Sequence, residues 1–416
     1  MNKKQIFILC IIIYLIAVFV SEIFYRNILY DESIKYIENI NQKGFFHYFY
    51  YFWSIIFFYG MLGLGIVITY FCFPLNIFFS HLSALLILLF ITSLLKSLYT
   101  SSRPFWDIYE KYLLPENNST NIQYPTECEA EFGNPSGHAL LSTLILILWD
   151  LFINSHLFKK LEGKKKLIIK YITLIISIIC IIFTIYSRIN RQIHSFNQII
   201  FGTLLGRVIY FIYCHILELN AINGKDFVEN LNKCKFILIP IIIILYIISV
   251  ILGLTMHNKN EKKYEAILIK YCNYNKKIMF GKNTAYSSSF VLIIVGGCLG
   301  LIFLKYKINK NNSQKEKIFY DWNKGDFKKT IGICFCSMIL PAVFGIPILF
   351  ISFDHYALKF ILTALFCLFY GFCLFGLCFY YACIIFDRRK DEEEITMGLI
   401  GNDQEMYVQA TENIDL

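Results

Sequence analysis

The chain has 416 residues, of which 57% are hydrophobic and only 17% are charged, and this composition excludes an ordinary soluble globular protein. Its formal net charge of +9 comes from lysines and arginines spread over short polar breaks, so it indicates membrane topology and not a nucleic-acid partner. The composition therefore predicts an all-α, polytopic transmembrane helical bundle, with membrane lipid as its surroundings.

Apolar runs of about 20 residues, the length that crosses the hydrocarbon core, recur along the chain. We predict about ten spans, at residues 5–24, 48–72, 76–98, 139–157, 167–186, 197–218, 235–255, 288–305, 330–352 and 357–386. The first span is interpreted as an uncleaved anchor, because its apolar run is long and no clear small-residue cleavage site follows.

Basic residues assign the loops to the two sides of the membrane. If the amino terminus is cytoplasmic, three basic stretches also fall in the cytoplasm, at 159–166, 305–317 and 388–390. Four connections then fall on the lumenal or extracellular side, at 99–138, 187–196, 256–287 and 353–356. The loop 256–287 is rich in lysine and departs from the rule.

The 14 cysteines give little information, because most lie in apolar spans, where a thiol behaves as a small hydrophobic group. No Cys/His spacing typical of a metal site is present, so we predict no metal ligands. Cys128 and Cys272 are the two cysteines that fall in lumenal loops. They either form a disulfide or stay as two unpaired thiols.

Ionisable residues, which this chain otherwise avoids, cluster in three segments at span ends. In the first, at the end of the third span, Lys96 and Arg103 are seven residues apart and therefore share one helical face. The second is Pro135-Ser136-Gly137-His138, which opens the fourth span. A Ser-Gly turn before a helix leaves backbone N–H groups available to an anion.

The third segment, residues 187–198, links the fifth and sixth spans and contains Arg188, His194 and Gln198. The charge distribution places all three segments on the same side of the membrane. That agreement predicts one composite site. Taken singly, each segment has a structural interpretation, as a snorkelling cation, a turn or a structural histidine.

The residue types of this composite site suit phosphoryl chemistry. Lys96, Arg103 and Arg188 match the charge of a phosphoryl group, whose oxygens an arginine can bind in pairs. Of His138 and His194, one imidazole can attack phosphorus and the other can protonate the leaving oxygen. Catalysis would come from positioning and electrostatic stabilisation, so we predict no cofactor.

The three segments resemble the signature of the type 2 phosphatidic acid phosphatase and vanadium haloperoxidase superfamily, over residues 96–206. That signature is Lys, six residues, Arg-Pro; then Pro-Ser-Gly-His; then Ser-Arg, five residues, His, three residues, Asp. Every position matches except the last, where Gln198 replaces the aspartate that orients the nucleophilic histidine. A glutamine oxygen can still accept a hydrogen bond from the imidazole, without a stabilising negative charge.

The resemblance implies a six-helix core and a role for each matched residue. His194 would be the nucleophile that becomes phosphorylated, His138 the general acid, and Gln198 the residue that orients His194. The phosphate-binding residues would be Lys96, Arg103, Ser136, Gly137 and Arg188. We therefore predict four parts of the chain. They are an anchor span and lumenal loop at 1–45, the phosphatase core at 46–218, additional spans at 219–386 and a disordered cytoplasmic tail at 387–416.

The resemblance also implies a substrate class and a location. A lipid phosphate is favoured, because its headgroup can reach a site at the bilayer boundary laterally. A sugar phosphate is the alternative, since residues 103–106 and 124–129 resemble the glucose-6-phosphatase branch. A non-catalytic relative and a transporter are alternatives of another class. We expect the protein to lie in the endoplasmic reticulum or another endomembrane, with the plasma membrane as the alternative. The site is expected on the lumenal or extracellular side. The oligomeric state is open.

Overall fold

The structure is a computed structural model. It describes residues 3–40, 45–54, 58–73, 75–110, 128–154, 158, 161–220, 224–272, 278, 280–310, 332–333, 335–339, 343 and 356–381. All regular elements in these ranges are helical, and the chain divides into two compact units, Met1–Leu292 and Ile293–Leu416. The predicted tail at 387–416 and most of the predicted span at 330–352 lie outside the described residues.

The first unit carries every residue of the predicted site. Its described α-helices are, in chain order, α1 Lys3–Glu38, α2 Phe45–Phe52, α3 Phe58–Cys72, α4 Leu75–Tyr99, α5 Pro104–Glu110, α6 Gly137–Leu141, α7 Thr143–Asn154, α8 Gly163–Asn190, α9 Phe196–Asn220, α10 Gly224–Thr255, α11 Glu261–Cys272 and α12 Phe280–Tyr286. A 3₁₀ turn, Ser287–Val291, closes the unit.

The second unit contains two α-helices and two π-helical segments among its described residues. They are α13 Leu292–Lys310, the π segment Phe335–Ile339, α14 Tyr356–Phe372 and the π segment Cys373–Leu377. Phe303 of α13 packs against Phe372 of α14, with ring centroids 5.5 Å apart.

Seven helices of the described chain are long and apolar enough to cross a membrane, by length and composition. They are Gln5–Glu38, Leu75–Glu110, Gly163–Asn190, Phe196–His215, Glu229–Thr255, Phe280–Lys307 and Leu358–Tyr381. Two shorter apolar helices, Phe58–Phe71 and Gly137–Ile153, match two further predicted spans. The prediction of an all-α membrane bundle is confirmed, while the number of spans stays a prediction.

Helix α1 continues to Glu38, well beyond the predicted span end at residue 24. Ser33 and Ile37, which share a helical face, are both fully buried in this extension. The hydroxyl oxygen of Ser33 accepts a hydrogen bond from the backbone N–H of Phe196 at 2.7 Å. The extension is therefore part of the packing that fixes the start of α9.

The predicted second span at 48–72 is described as two helices, α2 and α3, on either side of residues 55–57. Ser54, after the end of α2, is fully buried. Its hydroxyl and carbonyl oxygens contact Arg188 and His138. The end of α2 therefore contributes to the predicted site instead of only crossing the bilayer.

The described parts of three of the four loops predicted to share one side of the membrane, 99–138, 187–196 and 256–287, meet at one end of the first unit, and the fourth, 353–356, belongs to the second unit. A disulfide joins Cys128 to Cys272 at the end of α11, so the first of the two alternatives for these cysteines is the one observed. Trp106 of α5 stacks on Tyr264 of α11, with ring centroids 4.7 Å apart. The lysine-rich loop that departs from the charge rule thus lies beside the loop that precedes α6.

Candidate active site

The three predicted segments converge at this end of the first unit. The backbone N–H of Gly133 donates to the Ser101 carbonyl at 2.9 Å, and the N–H of Ser136 donates to the Gln198 carbonyl at 3.0 Å. These bonds join the loop before α6 to the end of α4 and to the start of α9. The predicted site residues that are buried are Lys96, Arg103, Ser136, His138, Arg188, His194 and Gln198.

Two carboxylates pair with the cationic cluster, which consists of Lys96, Arg103 and Arg188. Lys96 Nζ lies 2.8 Å from Glu131 Oε2. Arg188 Nη2 lies 2.6 Å from Glu129 Oε1, and Arg103 Nη2 forms an ion pair with Glu129 Oε2. The Glu129 carboxylate therefore uses one oxygen for each arginine.

Backbone carbonyls fix the guanidinium of Arg103, which is fully buried. Its Nε donates to the Glu131 carbonyl at 2.6 Å, and its Nη2 lies 3.4 Å from the Phe132 carbonyl. Its Nη1 lies 3.5 Å from the Ile193 carbonyl. A planar guanidinium held by both flanking loops has little rotational freedom, so Arg103 is pre-organised for an anion.

Glu129 and Glu131 were not predicted as site residues. Both lie in a polar loop, where acidic residues are common and carry no periodic signal. Their partners are distant in sequence, since Arg188 lies 59 residues from Glu129. The one available signal was charge balance, because three buried cations require nearby anions.

Charge in the site shifts two pKa values. Burial raises the pKa of the Glu129 carboxyl, but the charges of Arg103, Arg188 and Lys96 outweigh burial and hold it well below its ordinary value. Burial, with the charges of Arg103 and Arg188, holds the pKa of His194 well below its usual range. At neutral pH, Glu129 is therefore ionised and His194 is neutral.

Two contacts select the same tautomer of His194. Its Nε2 lies 3.5 Å from Nη1 of Arg103, and its Nδ1 lies 3.1 Å from Oε1 of Gln198. A guanidinium only donates and an amide oxygen only accepts, so the hydrogen must be on Nδ1. The lone pair is then on Nε2, which is the nitrogen directed toward the cationic cluster.

The amide of Gln198 has one orientation that satisfies its neighbours. Its Nε2 donates to the Ser102 carbonyl at 2.8 Å, and its Oε1 lies 3.4 Å from the backbone nitrogen of Ser195. Gly133 packs directly on this amide, where a Cβ atom would lie only 2.7 Å from Nε2. The hydrogen-bond network therefore assigns the oxygen to the side that faces His194.

His138 lies in the first turn of α6 and connects to the cationic cluster through Ser54. Its Nε2 lies 3.3 Å from the Ser54 carbonyl, which can only accept, so Nε2 carries the hydrogen. Arg188 Nη1 donates to the Ser54 hydroxyl at 2.7 Å. The ring of Phe58 stacks on the imidazole, with centroids 4.8 Å apart.

Ser136 and Gly137 form the turn into α6. The Ser136 hydroxyl accepts from the backbone N–H of Ala139 at 3.5 Å and is thus the N-cap of the helix. A Cβ atom on Gly137 would lie 3.3 Å from Cγ2 of Thr92. The turn is therefore packed against α4, and a phosphate-binding role for these two residues stays a prediction.

In the described helices, a buried imidazole lies beside two arginines that share one carboxylate. The family model described as "PAP2 superfamily" matches residues 77–221, the segment that contains the convergent site. The resemblance to this superfamily, which the signature residues predicted, is therefore confirmed for this segment.

Glucose-6-phosphatase 2 of Homo sapiens is 28% identical to this chain over 114 residues. The aligned region covers 26% of this chain and 31% of the human protein, so the match spans about a third of that relative's length. No solved structure matches the chain. The likeness therefore concerns about a quarter of this chain.

Proposed function

We propose that the protein is an integral membrane phosphatase that hydrolyses phosphate monoesters through a phosphohistidine intermediate without a metal. The observation that carries the proposal is the geometry of His194. Its unprotonated Nε2 lies beside Arg103, in a site where two arginines already share one bound carboxylate. The nucleophile and the oxyanion-binding donors are thus assembled together.

The reaction follows in two steps. His194 Nε2 attacks phosphorus, the P–O bond to the leaving group breaks, and protonated His138 gives its proton to the leaving oxygen. Neutral His138 then takes a proton from the water that attacks the phosphohistidine, and inorganic phosphate leaves. Lys96, Arg103 and Arg188 would stabilise the charge on the phosphoryl oxygens throughout, with Ser136 and Gly137 as further phosphate-binding residues.

A lipid phosphate is the substrate class that the surroundings of His138 favour. The ring of Tyr59 contacts His138, with centroids 5.2 Å apart, and 52% of Tyr59 is exposed. Its neighbours on the outer face of α3, Leu64 and Val67, are also exposed. In a membrane bundle such a face meets lipid, so one aromatic side chain separates the imidazole from the bilayer.

A sugar phosphate is the second candidate, and the comparison with the human relative favours it. That protein is named a glucose-6-phosphatase, and its likeness covers 26% of this chain. The disulfide between Cys128 and Cys272 supports a lumenal or extracellular site in either case, because disulfides persist in oxidising compartments. We propose an endomembrane, such as the endoplasmic reticulum, or else the plasma membrane.

The test is phosphate release by the purified full chain in detergent, with a chelator and no added metal. The substrates are phosphatidate, sphingosine 1-phosphate, dolichyl diphosphate and glucose 6-phosphate. We expect His194→Ala to abolish release, and the matched control His257→Ala, whose side chain is 64% exposed, to retain it. The preferred substrate distinguishes the lipid from the sugar class.

Two results would count against this proposal. Release that needs a metal would contradict the mechanism. A well-folded protein that releases phosphate from none of the four substrates would favour a non-catalytic relative, and flux of a solute without hydrolysis would favour a transporter.

A further inference from the structure

We propose that Glu129 is a built-in anion that holds the phosphate position between Arg103 and Arg188 and must be displaced by the substrate's phosphoryl group. This inference rests on the proposed function and adds to it a residue that sets the affinity of the site for phosphate. Glu129 belongs to none of the three signature segments and was not predicted as a site residue. Its carboxylate joins Arg103 to Arg188, the two arginines to which the phosphoryl oxygens are assigned.

The carboxylate occupies the donor atoms through which a phosphoryl group would join the two arginines. In-line attack requires phosphorus close to Nε2 of His194, which lies 3.5 Å from Arg103 Nη1. Each of the three guanidinium nitrogens of Arg103 already has an acceptor in the described structure. Arg188 uses Nη2 for Glu129 and Nη1 for Ser54. A phosphoryl group that joins Arg103 and Arg188 through their Nη2 atoms therefore takes the place of the Glu129 carboxylate.

Glu129 is the acceptor that can leave. The competing acceptors of Arg103 are the backbone carbonyls of Glu131, Phe132 and Ile193, in loops that other bonds hold in place. The side chain of Glu129 is instead 25% exposed, so it has room to rotate toward solvent. Its displacement needs a change of side-chain torsions and no movement of the loop.

The backbone around Glu129 is anchored on both sides. The preceding residue, Cys128, is bonded to Cys272, and the following carbonyl, that of Ala130, lies 3.4 Å from Nδ2 of Asn283. Because the main chain is fixed here, the displaced carboxylate stays within a side-chain length of the arginines. It therefore competes at high effective concentration whenever the phosphoryl group departs.

This competition sets how much free energy an anion must gain before it can bind. Displacement of Glu129 costs the same for each ligand that replaces it at the arginines. A monoanionic ligand such as a sulfate ester replaces one negative charge with another and gains little from the exchange, whereas a phosphate monoester dianion brings one further negative charge to Lys96, Arg103 and Arg188. Glu129 therefore lowers the affinity of the site for both ligands, the dianion is the one that overcomes this cost, and Glu129 returns to the arginines when inorganic phosphate leaves.

The test uses the purified full chain and two probes, inorganic phosphate and orthovanadate, with binding measured by thermal stabilisation so that no turnover is needed. Glu129→Gln keeps the size of the side chain and removes its charge. We expect both probes to bind about tenfold more tightly to this variant, because the competing side chain at position 129 then lacks one charge-assisted hydrogen bond to the arginines. Glu129→Asp, charged but shorter by one methylene, should bind them with intermediate affinity.

The matched control is Glu110→Gln, which removes a carboxylate from the same end of the unit, where it pairs with Lys263. This control should bind the probes as the wild type does. If the Glu129 variants that fold bind phosphate equally or more weakly, the proposal is overturned, and Glu129 is then a structural ion-pair partner or a substrate ligand. Tighter binding without any hydrolysis would support the role of Glu129 and contradict only the proposed function.

In an active preparation, the pH dependence of kcat/KM distinguishes two roles of Glu129, competition with phosphate and a purely structural role. The charged groups that act on His194 are Arg103, Arg188 and Lys96, which lower its pKa, and Glu129, which raises it. Removal of the Glu129 charge should therefore shift the acid limb of kcat/KM to lower pH. An unchanged pH profile would contradict the proposal.

Discussion

The replacement of aspartate by Gln198 changes the charge around His194 and keeps its orientation. Oε1 of Gln198 lies 3.1 Å from Nδ1 of His194, and Nε2 of Gln198 donates to the Ser102 carbonyl at 2.8 Å. A carboxylate at this position would raise the pKa of the imidazole, whereas the neutral amide adds no such charge. Gln198 therefore suits a site in which His194 must stay unprotonated.

Gln198→Glu tests this interpretation with an isosteric change. The new carboxylate places an oxygen against the Ser102 carbonyl, so one hydrogen bond is lost and the side chain is reoriented. We expect kcat to fall about tenfold, as for one lost hydrogen bond. We also expect the acid limb of kcat/KM to move to higher pH, because the negative charge favours imidazolium. A variant with wild-type kcat and an unshifted profile would contradict the role assigned to the amide.

The wild-type pH profile tests the state of His194 directly. Since burial and the two arginines lower its pKa, the neutral nucleophile persists at pH values where an ordinary histidine is protonated. The acid limb of kcat/KM should therefore lie below the ordinary histidine value of about 6.5. An acid limb above that value, after correction for the second ionisation of the substrate's own phosphate at about pH 6, would show that the pKa of His194 is not lowered in solution.

At the scale of elements, close packing of α9 against the turn into α6 fixes the site. A Cβ atom on Gly202 would lie 2.7 Å from the Ser136 carbonyl and 3.4 Å from Cβ of Ala139. Small residues at such contacts let helix backbones approach in membrane bundles. The position of Ser136, and with it the first turn of α6, thus depends on the lack of a side chain at Gly202.

Gly202→Ala should therefore impair the site although it touches no substrate. The added methyl group forces the Ser136 turn to move, so we expect a loss of stability of about 1–3 kcal/mol and a lower kcat/KM. The control is Gly60→Ala in α3, where a Cβ atom meets nothing within 4 Å and both quantities should stay unchanged. Thermal unfolding and phosphate release, measured on both variants, provide the comparison. Equal behaviour of the two variants would refute this packing argument.

The helices of the first unit were largely predictable, because each apolar run identifies its own span. The contribution of Ser54 to the site was not, since Ser54 lies inside an apolar run and its partners, Arg188 and His138, are distant in sequence. The extension of α1 was missed for a similar reason. Ser33 and Ile37 are buried by contacts with other parts of the unit and not by lipid, and hydropathy does not report such contacts.

At the scale of the whole molecule, charge distribution and motif order predicted the convergence of the site residues. The loops of Lys96, His138 and His194 were assigned to one side before their motifs were compared, and the structure brings them to one end of the first unit. The anions of the site were not predictable in this way. Glu129 and Glu131 become part of the site only when their loop folds against Lys96 and Arg103.

The central claim is that His194 becomes covalently phosphorylated. The most direct measurement is to quench the purified protein during turnover of a ³²P-labelled phosphate monoester and to locate the label by peptide mapping. We expect alkali-stable, acid-labile phosphate on the peptide that contains His194, and none in His194→Ala. Label on another residue, or hydrolysis that persists in His194→Ala, would contradict the account.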